Sequence, residues 1–167
     1  MENQMPERKH PRLKKFDYSD TGSYFVTICT QGRRHLFSEI TSDNDDLSIS
    51  YRPKYTPYGV IAEEQLMLLN ERFDFVEVDK YVIMPNHIHI IFVFKRKNED
   101  EMRSALTDVV CAYKSLTAKA CRERGLPNKI FQTSFYEHII RSYDDYEEIV
   151  EYIANNPLNW HYDELYN

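Results

Sequence analysis

The sequence predicts an α+β domain in which helices pack on an antiparallel β-sheet. Short runs rich in β-branched and aromatic residues alternate with longer segments of helical periodicity. Two of the short runs are separated only by Pro85-Asn86, which favours an antiparallel hairpin. The resulting β-α-β-β-α-β order is typical of a ferredoxin-like arrangement. A chain of 167 residues with 42% hydrophobic content is long enough for one hydrophobic core, so we expect a single domain over residues 16–167. Residues 1–15 are rich in basic side chains, and we expect them to form a flexible arm.

The predicted elements follow from local composition. Val60, Ile61, Leu68 and Leu69 keep helical spacing after Pro57, which suits a first helical turn. The predicted strands are 24–30, 36–40, 47–51, 75–84 and 87–94, and a poorly alternating segment, 129–140, is expected to hold a short strand and a bend. The predicted helices are 57–73, 102–124 and a last one that Asp144 or Asp145 caps and that ends near Asn156, before Pro157, while residues 95–101 form a charged connector.

The formal net charge of −6 argues by itself against a nucleic-acid partner. The last 27 residues carry seven acidic residues against one basic residue, which accounts for the whole imbalance, and basic residues form clusters elsewhere. An ordinary solvated surface explains each basic cluster as well as a DNA-binding surface does. The candidate nucleic-acid-binding residues are Arg8, Arg12, Lys14, Lys15, Lys114, Lys119, Arg122 and Arg141.

Three features bear on the cellular compartment. The chain lacks a run of about eighteen apolar residues and an apolar signal-peptide core near its start, so we expect no membrane span. Its three cysteines are far apart and lack a CxxC pair, which fits a reducing compartment. We therefore expect a cytoplasmic protein.

His87 and His89 are the most distinctive candidates for chemistry. They alternate with apolar residues in a predicted strand, so both project from one face while Ile88 and Ile90 face the core. Two buried imidazoles on one face are costly unless a partner satisfies them, and a shared metal ion is one such partner. The HxH pattern alone has little specificity, and a pair of structural histidines also explains it.

Tyr152 and Asn156 lie one turn apart on the shoulder of the apolar stripe of the last predicted helix. A tyrosine there is able to project into a cleft between helix and sheet. Amphipathic packing explains a boundary tyrosine equally well, since the chain contains 13 tyrosines.

Residues 131–141 interleave aromatic side chains with Gln132, His138 and Arg141, a composition suited to stacking bases and holding phosphates. A strand and bend that complete the sheet explain the same segment. Tyr136 is the chief alternative to Tyr152 as a nucleophile.

Taken in order, several motifs resemble those of the REP-associated tyrosine transposases, chromosomal relatives of the small single-tyrosine transposases of insertion sequences. The resemblance extends over nearly the whole chain. It is carried by RLKKFDY at 12–18, YFVTICT at 24–30, MPNHIH at 84–89, FYEHIIR at 135–141 and EYIANNP at 151–157.

The resemblance implies a metal-dependent nuclease and strand transferase that cuts single-stranded DNA beside hairpins. Tyr152 falls on the family's nucleophile, which forms a covalent 5′-phosphotyrosine. His87 and His89 fall on its metal-binding pair, for Mg²⁺ or Mn²⁺. Asn156 falls on a polar third ligand, with Asn155 as the adjacent alternative. The implied protein acts in the nucleoid as a monomer or homodimer; the alternative is a catalytically inactive module of this fold that binds hairpin DNA or RNA.

Overall fold

The structure is a computed structural model that describes residues 22–45, 48–95 and 99–166. Six strands and four helices make up this part of the chain. They are β1 (Gly22–Cys29), β2 (Ser38–Asp45), β3 (Ser48–Tyr55), α1 (Pro57–Met67), α2 (Leu69–Arg72), β4 (Val76–Ile83), β5 (His87–Phe94), α3 (Glu99–Glu123), β6 (Tyr136–Ile140) and α4 (Tyr143–Asn155).

Four of the strands form the main sheet, in the order β4-β5-β1-β6. Every neighbouring pair is antiparallel, and β4 and β5 are the hairpin that the short Pro85-Asn86 turn predicts. Strands β2 and β3 pair separately as a two-stranded sheet inserted between β1 and α1. The predicted α+β architecture, an antiparallel sheet with helices packed on it, is confirmed.

The main sheet separates two clusters of buried side chains. Ile88, Ile90 and the alternate residues of β1 pack with α1 and α3 in the larger cluster. The alternating residues that point the other way, such as Phe25 and Ile91, pack with α4 in a smaller cluster. His87 and His89 belong to this second face, because strand side chains alternate between faces. The apolar face predicted opposite the two histidines is therefore the main core.

Some predicted boundaries are wrong. The helix expected over 57–73 is interrupted at Leu68, so it forms α1 and the short α2. Helix α3 begins at Glu99, inside the segment expected to be a connector. The strand expected within 129–140 begins only at Tyr136, although Phe131 makes an isolated bridge to Thr30.

Helix α4 begins earlier than the sequence indicates. Its N-cap is Ser142, whose hydroxyl accepts a hydrogen bond from the backbone N–H of Asp145 at 3.1 Å. The Asp145 carboxylate instead accepts hydrogen bonds from His138 Nε2, at 2.9 Å, and from the Arg141 backbone N–H, at 3.3 Å. These bonds fix the corner between β6 and α4, and so the position of the helix that carries Tyr152.

The expected basic arm, 1–15, lies outside the described residues, and with it Arg8, Arg12, Lys14 and Lys15. Within the described ranges, no helix combines the length and the apolar character that crossing a bilayer requires.

Candidate metal centre and cleft

His87 and His89 lie side by side on the second face of the sheet, at the start of β5. His87 is opposite Cys29 and His89 is opposite Thr27 in the register with β1. Their ring centroids are 4.5 Å apart, and both side chains are almost completely buried. The strand therefore places two imidazoles at one point, as its alternation predicts.

Hydrogen bonds orient the ring of His87. Nδ1 lies 2.8 Å from Oδ1 of Asn86, whose Nδ2 donates to the backbone oxygen of Leu165 at 2.7 Å. Since Asn86 Oδ1 is then an acceptor, His87 Nδ1 carries the proton and donates to it. In a neutral His87 the Nε2 atom is then unprotonated and its lone pair is available, which is the state in which imidazole binds a metal.

His89 connects β1 to α4. Its Nδ1 lies 2.8 Å from the Thr27 hydroxyl, and its Nε2 lies 3.4 Å from the hydroxyl of Tyr152. The Tyr152 ring also packs edge-on against Phe25, with centroids 6.1 Å apart. Helix α4 thus brings the Tyr152 hydroxyl to His89, one of the two histidines.

The C-terminal segment completes the cluster with a carboxylate. Asp163 follows a 3-10 turn at Trp160–Tyr162, and its Oδ2 lies 3.8 Å from His87 Nε2. The same oxygen accepts a hydrogen bond from Asn156 Nδ2 at 2.8 Å. Ligand atoms of His87, His89 and Asp163 lie within 4.8 Å of one another.

Asn156 adds a fourth candidate ligand atom, an amide oxygen, to the two imidazole nitrogens and the carboxylate oxygen. Asn156 is 2% exposed and its Oδ1 lies 3.3 Å from His87 Nε2. Because its Nδ2 donates to Asp163, the amide orientation is fixed and Oδ1 faces the imidazole lone pair.

The arrangement fits a divalent cation. His87 Nε2, Asn156 Oδ1 and the Asp163 carboxylate converge at one buried place. The carboxylate accepts from Asn156 Nδ2, but His87 Nε2 and Asn156 Oδ1 are two acceptors that face each other at 3.3 Å with no proton between them. Facing lone pairs repel unless a cation or a donor lies between them. Imidazole nitrogens combined with amide and carboxylate oxygens are a ligand set that binds Mn²⁺, and the oxygen ligands also suit Mg²⁺. The side chains of this cluster therefore fit a divalent metal ion.

Burial keeps the two imidazoles neutral. Desolvation lowers the pKa of His87 to about 4, although Asp163 and Asn156 oppose the shift and Arg33 assists it. Desolvation, and then the neighbouring His87, holds the pKa of His89 well below 6.5. Burial also raises the pKa of Tyr152, with a further contribution from Asp163 and Glu164. At neutral pH the imidazoles are ready to coordinate, while the Tyr152 hydroxyl carries its proton.

We expect metal-free protein to lose stability as the pH falls from about 6.5 to 4. In this window the unfolded chain takes up a proton at His87 that the folded chain refuses; below the folded pKa of about 4 both states are protonated and the loss ends. The loss attributable to His87 is on the order of 3 kcal/mol. Urea unfolding in EDTA at pH 7, 5.5 and 4 measures it. A His87→Gln variant should show a shallower decline; equal slopes would contradict the assignment.

Next to the cluster lies an open cleft of about 850 Å³. Its floor includes Phe25, Thr27 and His89, and its walls include Tyr136 on β6 and Tyr152 on α4. The cleft is open to solvent and is lined by Tyr152, the candidate nucleophile.

Arg33 is a cation at this cleft that sequence reasoning missed. Its φ of 53° is in the left-handed region, which is uncommon for a residue with a side chain. Its Nη1 donates to the backbone oxygen of Glu164 at 3.2 Å, which ties the turn after β1 to the C-terminal segment. The only sequence signal is its position just after a glycine at the end of a strand.

The predicted basic residues are dispersed. Lys114 Nζ donates to the backbone oxygens of Gln132 and Thr133, at 2.6 and 2.9 Å, so it anchors a loop at the edge of the cleft. Lys119 and Arg122 are exposed on α3, which packs on the sheet face opposite the histidines. Arg141 is exposed beside the start of α4.

Comparison with known proteins places these features in a family. No protein-family model matches the chain. A REP-associated tyrosine transposase of Escherichia coli is 34% identical over 141 residues, which are 84% of this chain and 69% of the relative. An uncharacterized protein of Haemophilus influenzae is 30% identical over 175 residues, covering 95% of this chain and 93% of its own.

A solved structure has the same fold. It is that of a REP-associated tyrosine transposase bound to a REP hairpin, and it superposes with a TM-score of 0.62 at 22% identity, over 96% of this chain and 77% of that one. The similarity of the sequences supports more than a shared fold, since the Escherichia coli protein is 34% identical over most of both chains. Together with the HxH strand and the tyrosine helix, this similarity shows that this chain belongs to the REP-associated tyrosine transposases.

Proposed function

We propose that this protein cuts and rejoins single-stranded DNA next to a hairpin, with Tyr152 as nucleophile and a divalent metal held beside it. The observation that carries the proposal is the 3.4 Å contact between the Tyr152 hydroxyl and His89 Nε2, at the mouth of the acceptor cluster. Amphipathic packing alone does not explain a tyrosine that is 46% exposed and yet points its hydroxyl at a buried imidazole.

The chemistry is phosphoryl transfer. The Tyr152 oxygen attacks the phosphorus of the scissile phosphodiester in line, the bond from phosphorus to the 3′ oxygen breaks, and the leaving 3′ oxygen takes up a proton. The product is a 5′-phosphotyrosine and a free 3′-OH. A second 3′-OH reverses the step and rejoins a strand, because the energy of the phosphodiester is kept in the tyrosyl ester.

The residues around Tyr152 suit this role. A tyrosine hydroxyl with a raised pKa must lose its proton during attack, and the Asp163 carboxylate, whose charge contributes to that shift, is the base in the same cluster. Phe25 fixes the ring edge-on, so the hydroxyl position is defined before substrate arrives. Arg33 is placed to hold a phosphate on the strand.

His87, His89, Asn156 and Asp163 would hold the metal, which when bound as Mg²⁺ or Mn²⁺ supplies charge neutralisation at the scissile phosphate. Two carboxylates, Asp163 and Glu164, line the cleft against the single guanidinium of Arg33, so the net charge of these lining residues is negative and repels DNA. A bound divalent cation reverses that local charge and so favours DNA binding as well as the reaction.

A hairpin partner is proposed on the basis of family membership and of the relative that is bound to a REP hairpin. The test is to mix the protein with labelled single strands that carry a hairpin, in Mg²⁺, Mn²⁺ or EDTA, and to resolve the products on a denaturing gel. We expect a metal-dependent protein–DNA adduct. Hairpin binding without any adduct would instead support the binding-only alternative.

Asp163→Asn should weaken Mn²⁺ binding about ten-fold or more. A unit negative charge roughly 4 Å from a divalent cation contributes about 2 kcal/mol even at the dielectric constant of water. Isothermal titration with Mn²⁺ measures the change, with Glu164→Gln as a control that removes the same charge one residue away. Asn156→Ala should also weaken binding and Asn155→Ala should not; equal effects within either pair would remove Asp163 or Asn156 from the proposed ligand set.

A further inference from the structure

Tyr136 is an exposed tyrosine at the cleft that the proposed reaction leaves without a role. It is the first residue of β6 and is 60% exposed. It pairs with Thr27, which on its other side pairs with His89. The three side chains therefore form one row across the sheet and share a face, with the Cα atoms of Tyr136 and His89 two strand spacings, roughly 10 Å, apart.

Exposed aromatic rings are concentrated at this cleft. Among the described residues, eight large hydrophobic side chains are exposed, and Tyr136, Tyr152 and Tyr162 are the three of them that line the cleft. Apolar rings exposed around a polar cleft mark a binding surface rather than a failure of packing. Any nucleobase is able to stack on an aromatic side chain, because each base has a π-face.

The backbone before Tyr136 is held in place. Lys114 binds the carbonyl oxygens of Gln132 and Thr133, and Lys129 Nζ donates to the Thr133 hydroxyl at 2.9 Å. The Gln132 backbone N–H donates to the Cys29 oxygen at 2.9 Å. A ring presented from a fixed backbone costs less ordering entropy on binding than one on a free loop.

We propose that Tyr136 stacks on a base of the single strand beside the scissile phosphate, and so sets where along the strand Tyr152 attacks. This inference rests on the proposed function for the position of the phosphate. In this arrangement the strand crosses the cleft from Tyr152 towards Tyr136 on β6, and Arg33, which lines the same cleft, contacts its phosphate backbone.

The experiment uses a Tyr152→Phe protein in Mg²⁺, which keeps the cation in the cleft while the proposed nucleophile is absent, and hairpin strands that carry 2-aminopurine at successive positions. We expect quenching of the fluorescence at one position next to the cleavage site. Adding Tyr136→Ala should remove that quenching and weaken single-strand affinity about ten-fold. Tyr136→Phe should keep both, because stacking needs the ring and not the hydroxyl. Tyr51→Ala, at an exposed tyrosine of β3 outside the cleft, is the matched control.

Unchanged quenching and affinity in Tyr136→Ala would overturn the inference, as would an equal loss in Tyr136→Phe. The cleavage pattern separates this inference from the proposed function. If Tyr136→Ala in an otherwise unaltered protein still cuts at one position with normal affinity, the stacking role is wrong and the reaction stands. If the unaltered protein forms no adduct but shows quenching that depends on Tyr136, the reaction is wrong and the stacking role stands.

Discussion

Tyr152→Phe should abolish the covalent adduct and lower the rate of strand cleavage by about 10⁴-fold or more, the scale seen when a covalent nucleophile is removed. The substitution deletes one hydroxyl, and that hydroxyl is the atom aimed at His89 Nε2. The phenylalanine ring keeps the edge contact with Phe25, so the fold and the cleft should persist. Single-turnover cleavage of a hairpin strand in Mn²⁺ measures the effect.

The controls for this prediction are affinity and the rival tyrosine. Hairpin affinity, measured by fluorescence anisotropy, should change less than about three-fold in Tyr152→Phe, because a single exposed hydroxyl contributes little to binding. Tyr136→Phe should cleave at a normal rate. An adduct that persists in Tyr152→Phe and disappears in Tyr136→Phe would transfer the nucleophile to Tyr136.

His87→Ala and His89→Ala should each weaken Mn²⁺ binding by about 100-fold or more, since loss of a partner that only orients a ligand already costs 10- to 100-fold. Both imidazoles are buried and neutral at pH 7, and one ring nitrogen of each lies within 4.8 Å of an Asp163 carboxylate oxygen. In the unaltered protein, saturating Mn²⁺ should raise the melting temperature, because the ion binds the folded chain. In either variant that rise should disappear.

His161→Ala is the matched control, because His161 is exposed and lies outside the cluster. It should keep the metal-induced rise in melting temperature. If the two buried-histidine variants fold, bind hairpins and still gain stability from Mn²⁺, the histidines are structural and the metal, if any, binds elsewhere.

The sequence was most informative where the regular spacing of residues in a strand or helix predicts which side chains share a face. Alternation along β5 predicts that His87 and His89 share one face, and helical spacing predicts that Tyr152 and Asn156 share another; the structure brings the four together. Pro85-Asn86 likewise predicts the β4–β5 hairpin. Periodicity did not distinguish a metal pair from structural histidines, because that depends on which groups other elements place opposite them.

Other residues depended on tertiary contacts that spacing does not encode. Asp163 reads as one of several acidic residues near the end of the chain, and only the turn at 160–162 brings it to His87, 76 positions earlier in the sequence. Arg33 lines the cleft from a turn in which its backbone has a positive φ. Lys114 was predicted to contact DNA phosphates, and in the structure its ammonium group on α3 donates hydrogen bonds to the backbone oxygens of Gln132 and Thr133.

The most direct test of the central claim is to identify the residue that carries the DNA. The adduct formed with a hairpin strand in Mn²⁺ would be digested with nuclease and protease and analysed by tandem mass spectrometry. We expect a nucleotide phosphate on the tyrosine of the EYIANNP peptide, at Tyr152. The same modification on Tyr136, on another residue, or on none despite efficient cleavage would contradict the account.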